Sequence, residues 1–591
     1  ALVLLRQFLP ASVLANTSSS YLSGLLAPQA ALIPALAGAL LGVATVASAA
    51  LQSARLEVLA FRREQARPSR APIWQRYYLD LALVALCIIA YLDLNQFGST
   101  NVRVQLGGGS SPLLLLAPAL LLVAGALLVL RAIPLGAKVA AGLASRGRGF
   151  IAMLALSQVE RTPNRYTRIT LLLVLAVGLG LFAVTFDASL AQNAHDRAAY
   201  STGADVRLQM RGVESGDQGT KLGQQLAALP GVQGVMRAYR STARTSPDVG
   251  DLQVDTLGID PATFAQAAGI TSWRADYASV PLATLLRDMN ANRRKTPNGP
   301  PVGSGAAPLY ALVSQTFADQ NALHVGDQFS LQLDETSFGQ TTFVVGHIVQ
   351  EFPTLYPTHS PGGFLVVGID DYEGAIQTSA AASGVDVNSV PVGPNEFWLK
   401  TTSGTSQDSA QQAALLKALQ NATLDVKTAL SLDAAIAANA ANPVGAGIRG
   451  LLVVGAITAA LLAVLGSVIQ SLLATRQRAT QLAILRTLGT ARSQLTGLLL
   501  CEQIVVYLFG LLGGTLLGLL LTTATLPFLQ FSDTLGDASR LGVPSYVLVY
   551  DPQGMVYFYG ALLVAFALAL VAAAQYAARI GLGQALRLGE D

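Results

Sequence analysis

Charged residues are scarce in this chain of 591 residues, because Asp, Glu, Lys and Arg together make up 12% of it. Soluble domains carry about 25% charged residues, so the chain has roughly half the usual share. Cysteine is rarer still and occurs at Cys87 and Cys501. Since both cysteines lie in or beside apolar segments, the sequence argues against a disulfide framework and against a cysteine-based metal site.

Catalytic and nucleotide-binding patterns are also missing. No stretch fits G-x-x-x-x-G-K-[ST], so the chain has no phosphate-binding glycine loop of its own. The four histidines are scattered, and His347 within an apolar stretch is interpreted as a core residue. Asp370, Asp371 and Glu373 resemble a turn rather than a metal site. We therefore predict no catalytic residues, no metal and no enzyme activity in this chain.

A net charge of +3 does not indicate nucleic-acid binding, because the basic residues flank apolar runs instead of forming one patch. These apolar runs are what the chain has in abundance, since 52% of its residues are hydrophobic. A bilayer is crossed by about 20 apolar residues at a rise of about 1.5 Å each. The predicted spans are 31–52, 77–95, 112–133, 168–190, 447–472, 496–524 and 555–579.

Lys and Arg residues give these spans a single orientation, because cytoplasmic loops retain positive charge. The loops after the first, third and fifth spans are rich in arginine. By contrast, the loop 96–111 contains only Arg103 and the loop 525–554 contains only Arg540. The distribution predicts a multi-pass membrane protein with residues 191–446 outside and the C-terminus in the cytoplasm.

The outer segment 191–446 has the composition of a folded α+β domain. Several stretches alternate apolar and polar residues as half-buried strands do. The predicted strands are 205–210, 329–333, 342–349, 363–369 and 396–400. Residues 260–269 and 409–421 have helical composition, and the Pro/Gly-rich stretch 296–307 is predicted to be a surface loop. The predicted fold class is an α-helical polytopic membrane protein with an inserted α+β extracytoplasmic domain.

An internal similarity suggests that the chain contains parts of two modules. Residues 1–66 and 525–591 share one order of features: the end of an apolar helix, an outer loop, a span and then an Ala-Arg pair. We therefore expect 1–66 to close a first module whose front lies upstream. The predicted division is 1–66, a linking region 67–150 with two spans, a basic helix and span 151–190, the outer domain 191–446, and three closing spans 447–591.

Three pieces of sequence resemble the FtsX-like permeases of ABC systems, including MacB-like and lipoprotein-release permeases. They are the basic pre-span stretch 155–177, the segment RQRATQLAILRTLGTARSQLTGLLLCEQ at 476–503, and the glycine-rich span that follows it. The outer phrases at 257–264 and 323–333 are similar to the family's MacB-like outer domain. The resemblance covers about 150–591 and the tail of an earlier module, and the second piece is the most specific.

The resemblance implies that a cytoplasmic coupling helix at 476–490 contacts an ABC ATPase. Its apolar residues repeat at helical spacing, with basic residues around them and a glycine able to end the helix. The candidate coupling residues are Arg478, Gln481, Leu482, Leu485, Arg486, Leu488 and Gly489. Gln481 stands where the family commonly has an acidic residue, so a charge contact at that position is in doubt. The alternative interpretation of 476–490 is an ordinary basic cytoplasmic loop without a docking role.

Two features of the sixth span are candidates of another kind. Gly510, Gly514 and Gly518 recur at intervals of four, which allows close helix approach. Either packing within the subunit or a sliding seam between modules fits this pattern. Glu502 lies at the start of the span, where an ionisable side chain is a functional candidate by default. Snorkelling or an ion pair with Arg492 is the favoured interpretation.

The predicted function is that of an ABC permease subunit which transmits motion from a partner ATPase to the outer domain. No cofactor is expected in this chain, and ATP and Mg would bind the ATPase. The expected partners are the ATPase, the upstream half or a second permease, and membrane lipid. The cargo stays open among lipid, lipoprotein, peptide and drug. An ATPase-independent receptor or scaffold, or a regulator of a cell-wall hydrolase, is the alternative.

Overall fold

The computed structural model describes a set of segments that form two compact units. The described residues are 78, 81–86, 88–89, 112–144, 155–157, 163–212, 216–245, 251–269, 273–293, 308–333, 340–356, 360–382, 384, 386, 392–401, 426–440, 443–477, 490–532 and 544–579. The first unit comprises Ala1–Ser189, Ala441–Phe528 and Leu548–Asp591, and the second comprises Leu190–Ala440 and Leu529–Val547.

Helices and strands alternate in the second unit, while long helices dominate the first. The helices are α1 Pro112–Ala144, α2 Pro163–Thr202, α3 Gly216–Ala227, α4 Pro261–Phe264, α5 Leu282–Ala291, α6 Gln315–Gln320, α7 Ile369–Ala382, α8 Leu432–Ala440, α9 Pro443–Gln477, α10 Arg492–Ser532 and α11 Pro552–Arg579. The strands are β1 Val206–Met210, β2 Val232–Arg244, β3 Gln253–Ile259, β4 Leu309–Ser314, β5 Gln328–Leu333, β6 Gln340–Val349, β7 Phe364–Gly368, β8 Glu396–Thr401 and β9 Val426–Ser431.

Four described helices are long and apolar enough to cross a membrane. Their candidate spans are Ile169–Thr202 in α2, Leu452–Ile469 in α9, Gln494–Ala524 in α10 and Pro552–Ala572 in α11. They correspond to the predicted spans 168–190, 447–472, 496–524 and 555–579. The membrane helices of the predicted fold class are confirmed to this extent.

The other three predicted spans have a different outcome. The stretch 31–52 lies outside the described residues, and 77–95 is described only at Tyr78, 81–86 and 88–89. The stretch 112–133 lies in α1, whose apolar part is described over Leu120–Gly136. A total of seven spans therefore stays a prediction.

The second unit is built on one sheet of nine strands in the order β3-β7-β4-β6-β5-β2-β8-β1-β9. Strand β2 has 13 residues and is long enough to pair with several neighbouring strands. Its first half pairs with β8, and its second half pairs with β3 on one side and briefly with β5 on the other. Because β2 meets both β3 and β5, six strands close into a ring, and β8, β1 and β9 extend from it.

The predicted α+β character of the outer segment is confirmed, and each of its five predicted strands overlaps an observed one. The sequence did not predict β2, β3, β4 or β9. Strand β2 contains Arg237, Arg240 and Arg244, so its apolar alternation is weak. The predicted helix 409–421 and the loop 296–307 lie outside the described residues.

A buried ion pair links β2 to β8. The Arg240 Nε atom donates to Glu396 Oε1 over 2.8 Å, and Trp398 Nε1 donates to Glu396 Oε2 over 3.1 Å. The Glu396 side chain is 4% exposed. Burial raises its pKa, but attraction to Arg240 and Arg207 and the hydrogen bonds from Arg240 and Trp398 outweigh burial and lower the pKa to about 2. The folded state therefore strongly favours the ionised carboxylate.

The same arginine connects the ring to the loop after β6. Arg240 Nη2 donates to Thr354 Oγ1 over 2.6 Å, and the Thr354 N–H donates to the Tyr200 carbonyl over 2.8 Å. Thr354 has a φ of 70°, which is unusual for a β-branched residue. Its contacts with Arg240 and Tyr200 hold this conformation, so the end of α2, the loop and the sheet are fixed together within the second unit.

We predict that Glu396→Gln lowers the free energy of unfolding by about 3 kcal/mol, because it leaves the partly buried Arg240 without its counter-charge. The pKa of Glu396 is lowered from 4.5 on folding. Its stabilisation is therefore present above the unfolded value and is lost as the pH falls through about 2. Denaturant unfolding of the full chain, followed by tryptophan fluorescence, measures the change, since Trp273 and Trp398 both lie in the second unit.

Glu373→Gln is the matched control, because Glu373 is a partly buried glutamate whose pKa is raised instead of lowered. This variant should not lower the unfolding midpoint. An unchanged midpoint in Glu396→Gln would show that the ion pair does not stabilise the sheet.

Candidate functional site

The predicted coupling residues lie between two described helices. Helix α9 ends at Gln477 and α10 begins at Arg492. Arg478, Gln481, Leu482, Leu485, Arg486, Leu488 and Gly489 all lie in 478–489, outside the described residues. Their proposed contact with an ATPase therefore stays a prediction. What the structure describes is the packing of the helices on either side of this segment.

The predicted glycines of α10 face α2. A Cβ atom added to Gly510 would lie 2.6 Å from the Leu173 Cβ, and one added to Gly518 would lie 2.9 Å from the Leu181 Cβ. At Gly514 the added atom would lie 2.5 Å from the Val177 Cβ and 3.0 Å from the Val174 carbonyl oxygen. Real Cβ atoms do not approach their neighbours so closely. The glycines thus bring the backbones of α2 and α10 together.

We call this line of contacts the glycine seam, defined by Gly510, Gly514 and Gly518 on α10. Of the two interpretations of the pattern, packing within the subunit is the arrangement that the structure contains. The seam continues on the α2 side, because a Cβ added to Gly178 would lie 3.3 Å from the Gly514 carbonyl oxygen. Small residues on both helices therefore remove the bulk that would hold them apart.

Helix α10 also approaches α1 closely. A Cβ added to Gly513 would lie 2.4 Å from Val129 Cγ1, and one added to Gly125 would lie 2.3 Å from Leu517 Cδ1. These contacts join a helix of the predicted linking region to the glycine-rich helix. Gly513 was not singled out in the sequence, although it sits directly beside Gly514.

Helix α2 is the most enclosed of the four candidate spans. Within its most apolar window 72% of the residues are buried, compared with 11% in α9 and 17% in α11. Near its outer end the Thr185 and Thr522 hydroxyls lie 2.8 Å apart. Ser189 Oγ also accepts from the Val549 N–H over 3.1 Å.

Glu502 does not snorkel, because its side chain is buried and the residue is only 3% exposed. The neighbouring Gln503 is buried too, at 7% exposed. The Arg492 side chain, its predicted partner, lies outside the described residues. The buried carboxyl argues against snorkelling, and the alternative ion pair with Arg492 stays a prediction.

In the second unit, side chains of the outer domain hold the short segment 544–547. Asn193 pairs with the Val547 backbone, with its Oδ1 accepting over 2.8 Å and its Nδ2 donating over 2.9 Å. Arg274 Nη1 donates to the Ser545 carbonyl over 2.8 Å. The Arg197 guanidinium lies 4.4 Å from the centroid of the Tyr546 ring. We call residues 544–547 the clasp segment.

Two acidic residues complete the surroundings of Arg274. Its Nη1 lies 3.3 Å from Asp196 Oδ2, and its Nη2 donates to Asp276. Ser545 Oγ donates to Asp276 Oδ2 over 3.1 Å. Burial raises the pKa of Asp276, but the hydrogen bond and charge of Arg274 outweigh it, and the pKa is lowered. Sequence reasoning missed this group, because its members, from Asp196 to Ser545, lie far apart in the chain and share no motif.

The histidine and the acidic turn noted in the sequence both contact charged partners in the structure. His347 Nε2 lies 3.1 Å from Asp288 Oδ2, and the His347 side chain is 21% exposed. Asp370 forms ion pairs with Arg237 and Arg293, and it lies in the first turn of α7. Within the described residues no cluster of His, Cys, Asp and Glu could hold a metal ion.

Comparison with known proteins identifies the C-terminal helices. Residues 453–582 match the model of the FtsX-like permease C-terminal family, so the predicted resemblance is confirmed over these residues. They include most of α9 and all of α10 and α11 as described. A search of curated proteins finds no match.

Among solved structures, the extracellular domain of the noncanonic ABC-type transporter YknZ from Gram-positive bacteria is similar at 11% identity. The alignment covers 38% of this chain and 100% of that chain, with a TM-score of 0.20. A TM-score of this size does not by itself establish a shared fold.

We predict that Gly514→Ala destabilises the first unit by about 1–3 kcal/mol, because the added methyl group overpacks the glycine seam. The melting temperature of the full chain in detergent measures the loss. Gly560→Ala is the matched control, because a Cβ there meets nothing within 4 Å on α11. If the two variants melt at the same temperature, close approach of α2 and α10 does not stabilise the protein.

Proposed function

We propose that the chain is the permease subunit of a bacterial ABC transporter and transmits motion from a partner ATPase to its extracytoplasmic domain. The match of residues 453–582 to the FtsX-like permease family carries the proposal. These residues contain the segment between α9 and α10 that would dock on the ATPase. ATP and Mg would bind that partner, since the chain has no phosphate-binding glycine loop.

The glycine seam supports a path for the motion. A push on residues 476–490 acts on the start of α10, and α10 contacts α2 through Gly510, Gly514 and Gly518. Because interdigitated backbones cannot slide without separating, displacement of α10 displaces α2. Helix α2 ends at Thr202, only a few residues before strand β1 begins at Val206. The short connection suits transmission to the sheet.

The orientation follows the arginine distribution, with residues 191–446 outside the cell membrane and the C-terminus inside. Mechanical work on the outside fits the chain better than a central pore does, because the spans have few polar side chains to line one. The substrate class we propose is a lipid, lipoprotein, peptide or drug that the outer domain extracts or exports. A second permease module and membrane lipid would complete the assembly.

We predict that a Leu485→Asp/Leu488→Asp variant loses its ATPase partner, because two charges would be placed in an apolar docking face. Co-purification with the ATPase and stimulation of ATP hydrolysis should both fall by about tenfold or more, the effect of roughly 1.4 kcal/mol or more of binding free energy. Tagged full-length chain in nanodiscs is the material to measure.

Val325→Asp is the control, since it also replaces an apolar side chain by aspartate, but at an outer-domain position that is 60% exposed. Full ATPase stimulation by the double variant would reject the docking assignment. Failure of any ATPase to co-purify with the wild-type chain would favour an ATPase-independent receptor, scaffold or hydrolase regulator.

A further inference from the structure

Glu351 lies against the clasp segment at the end of β6. Its backbone is fixed, because the N–H groups of Gln350 and Glu351 both donate to the Tyr277 carbonyl, over 2.8 Å and 3.2 Å. The carboxyl group accepts from the Ser545 N–H. Its second oxygen, Oε2, is buried and has no hydrogen-bond partner among the described residues. The carboxyl group therefore holds the clasp segment through its hydrogen bond from Ser545, while its Oε2 atom has neither this contact nor exposure to solvent.

The charges around Glu351 do not compensate an ionised carboxylate. Asp276 and Arg274 face it from the turn before α5, and the phenols of Tyr277 and Tyr200 lie in its field. Arg274 already neutralises Asp276 and Asp196, and His195 beside Asp196 adds a positive charge only when protonated. A third carboxylate at this place thus has no cation of its own.

Burial, followed by repulsion from Asp276, raises the pKa of Glu351 to about 7, although Arg274 and the Ser545 N–H oppose the rise. A carboxyl group with its ordinary value of 4.5 would be ionised at neutral pH. The clasped arrangement therefore binds a proton that an open, solvated Glu351 releases. Clasp stability is complete below about pH 4.5 and is lost as the pH rises through about 7.

We propose that Glu351 makes the outer domain's hold on residues 544–547 sensitive to pH, with the clasp closed when the carboxyl is protonated and loosened when it is ionised. The clasp segment precedes Pro552, the first residue of α11. Its release would free the polypeptide that leads into that helix. This device belongs to the second unit and does not require an ATPase partner, so it stands apart from the proposed transport function.

Amide hydrogen exchange of residues 545–547 in the full chain tests the proposal. Exchange is measured in lipid nanodiscs at pH 6 and pH 8 and corrected for the intrinsic effect of pH. If opening exposes Glu351, the change of its pKa from 4.5 in the open state to about 7 in the closed state predicts about a tenfold loss of protection between pH 6 and pH 8. The Val547 N–H, held by Asn193, and the Ser545 N–H are the informative sites.

Glu351→Gln mimics the protonated carboxyl, so its protection should be the same at pH 6 and pH 8. Glu373→Gln is the matched control, because Glu373 is a second partly buried glutamate with a raised pKa, on α7. That variant should keep the wild-type pH step. Arg274→Gln should have low protection at both values, because it removes the donor to the Ser545 carbonyl.

Protection that does not change with pH in the wild type, or an equal pH step in Glu351→Gln, would overturn the proposal. So would undiminished protection in Arg274→Gln. If Glu351→Gln fails to fold, Asp276→Asn replaces it, since it removes the repelling charge and keeps a hydrogen-bond acceptor. In Asp276→Asn the difference in protection between pH 6 and pH 8 should be smaller than in the wild type. An unchanged difference would show that Glu351 is not the group that responds to pH.

Discussion

Close approach of α2 and α10 is the contact on which the helical unit depends. A helix pair in lipid gains little from the hydrophobic effect, because lipid tails are as apolar as the side chains that would be buried. Dispersion between closely packed atoms must supply the stabilisation instead. Gly510, Gly514 and Gly518 make this possible by removing side chains where Leu173, Val177 and Leu181 enter. The enclosed position of α2 is a consequence.

The second unit depends on charged side chains that join the strands of its ring. Strand β2 joins its partners through Arg240, whose counter-charge Glu396 is buried on β8. The same guanidinium reaches Thr354, and Thr354 holds the end of α2. A rigid connection from α2 to the sheet is what a domain moved by its own membrane helix would need. The clasp segment adds a second attachment in this unit, and its strength depends on a proton.

Sequence patterns revealed the elements whose signal is local. Apolar runs predicted the helices α2, α9, α10 and α11, and alternation predicted strands such as β1 and β6. The glycine spacing was visible, but its partner helix was not, because nothing in the spacing identifies Val177. Strand β2 was missed because its arginines break the apolar pattern, and two of them, Arg237 and Arg240, pair with the distant Asp370 and Glu396. The pairing of Asn193 with Val547 joins positions 354 apart and needed the structure.

We propose that motion at 476–490 reaches the outer domain through the membrane helices. Distance measurement between two spin labels, one at Lys221 on α3 and one at Gly560 on α11, tests it after Cys87 and Cys501 are replaced by serine. In nanodiscs with the partner ATPase, ATP binding should change the distance in the otherwise wild-type chain and leave it unchanged in the Leu485→Asp/Leu488→Asp variant. An identical distance with and without ATP, in a complex that hydrolyses it, would contradict the account.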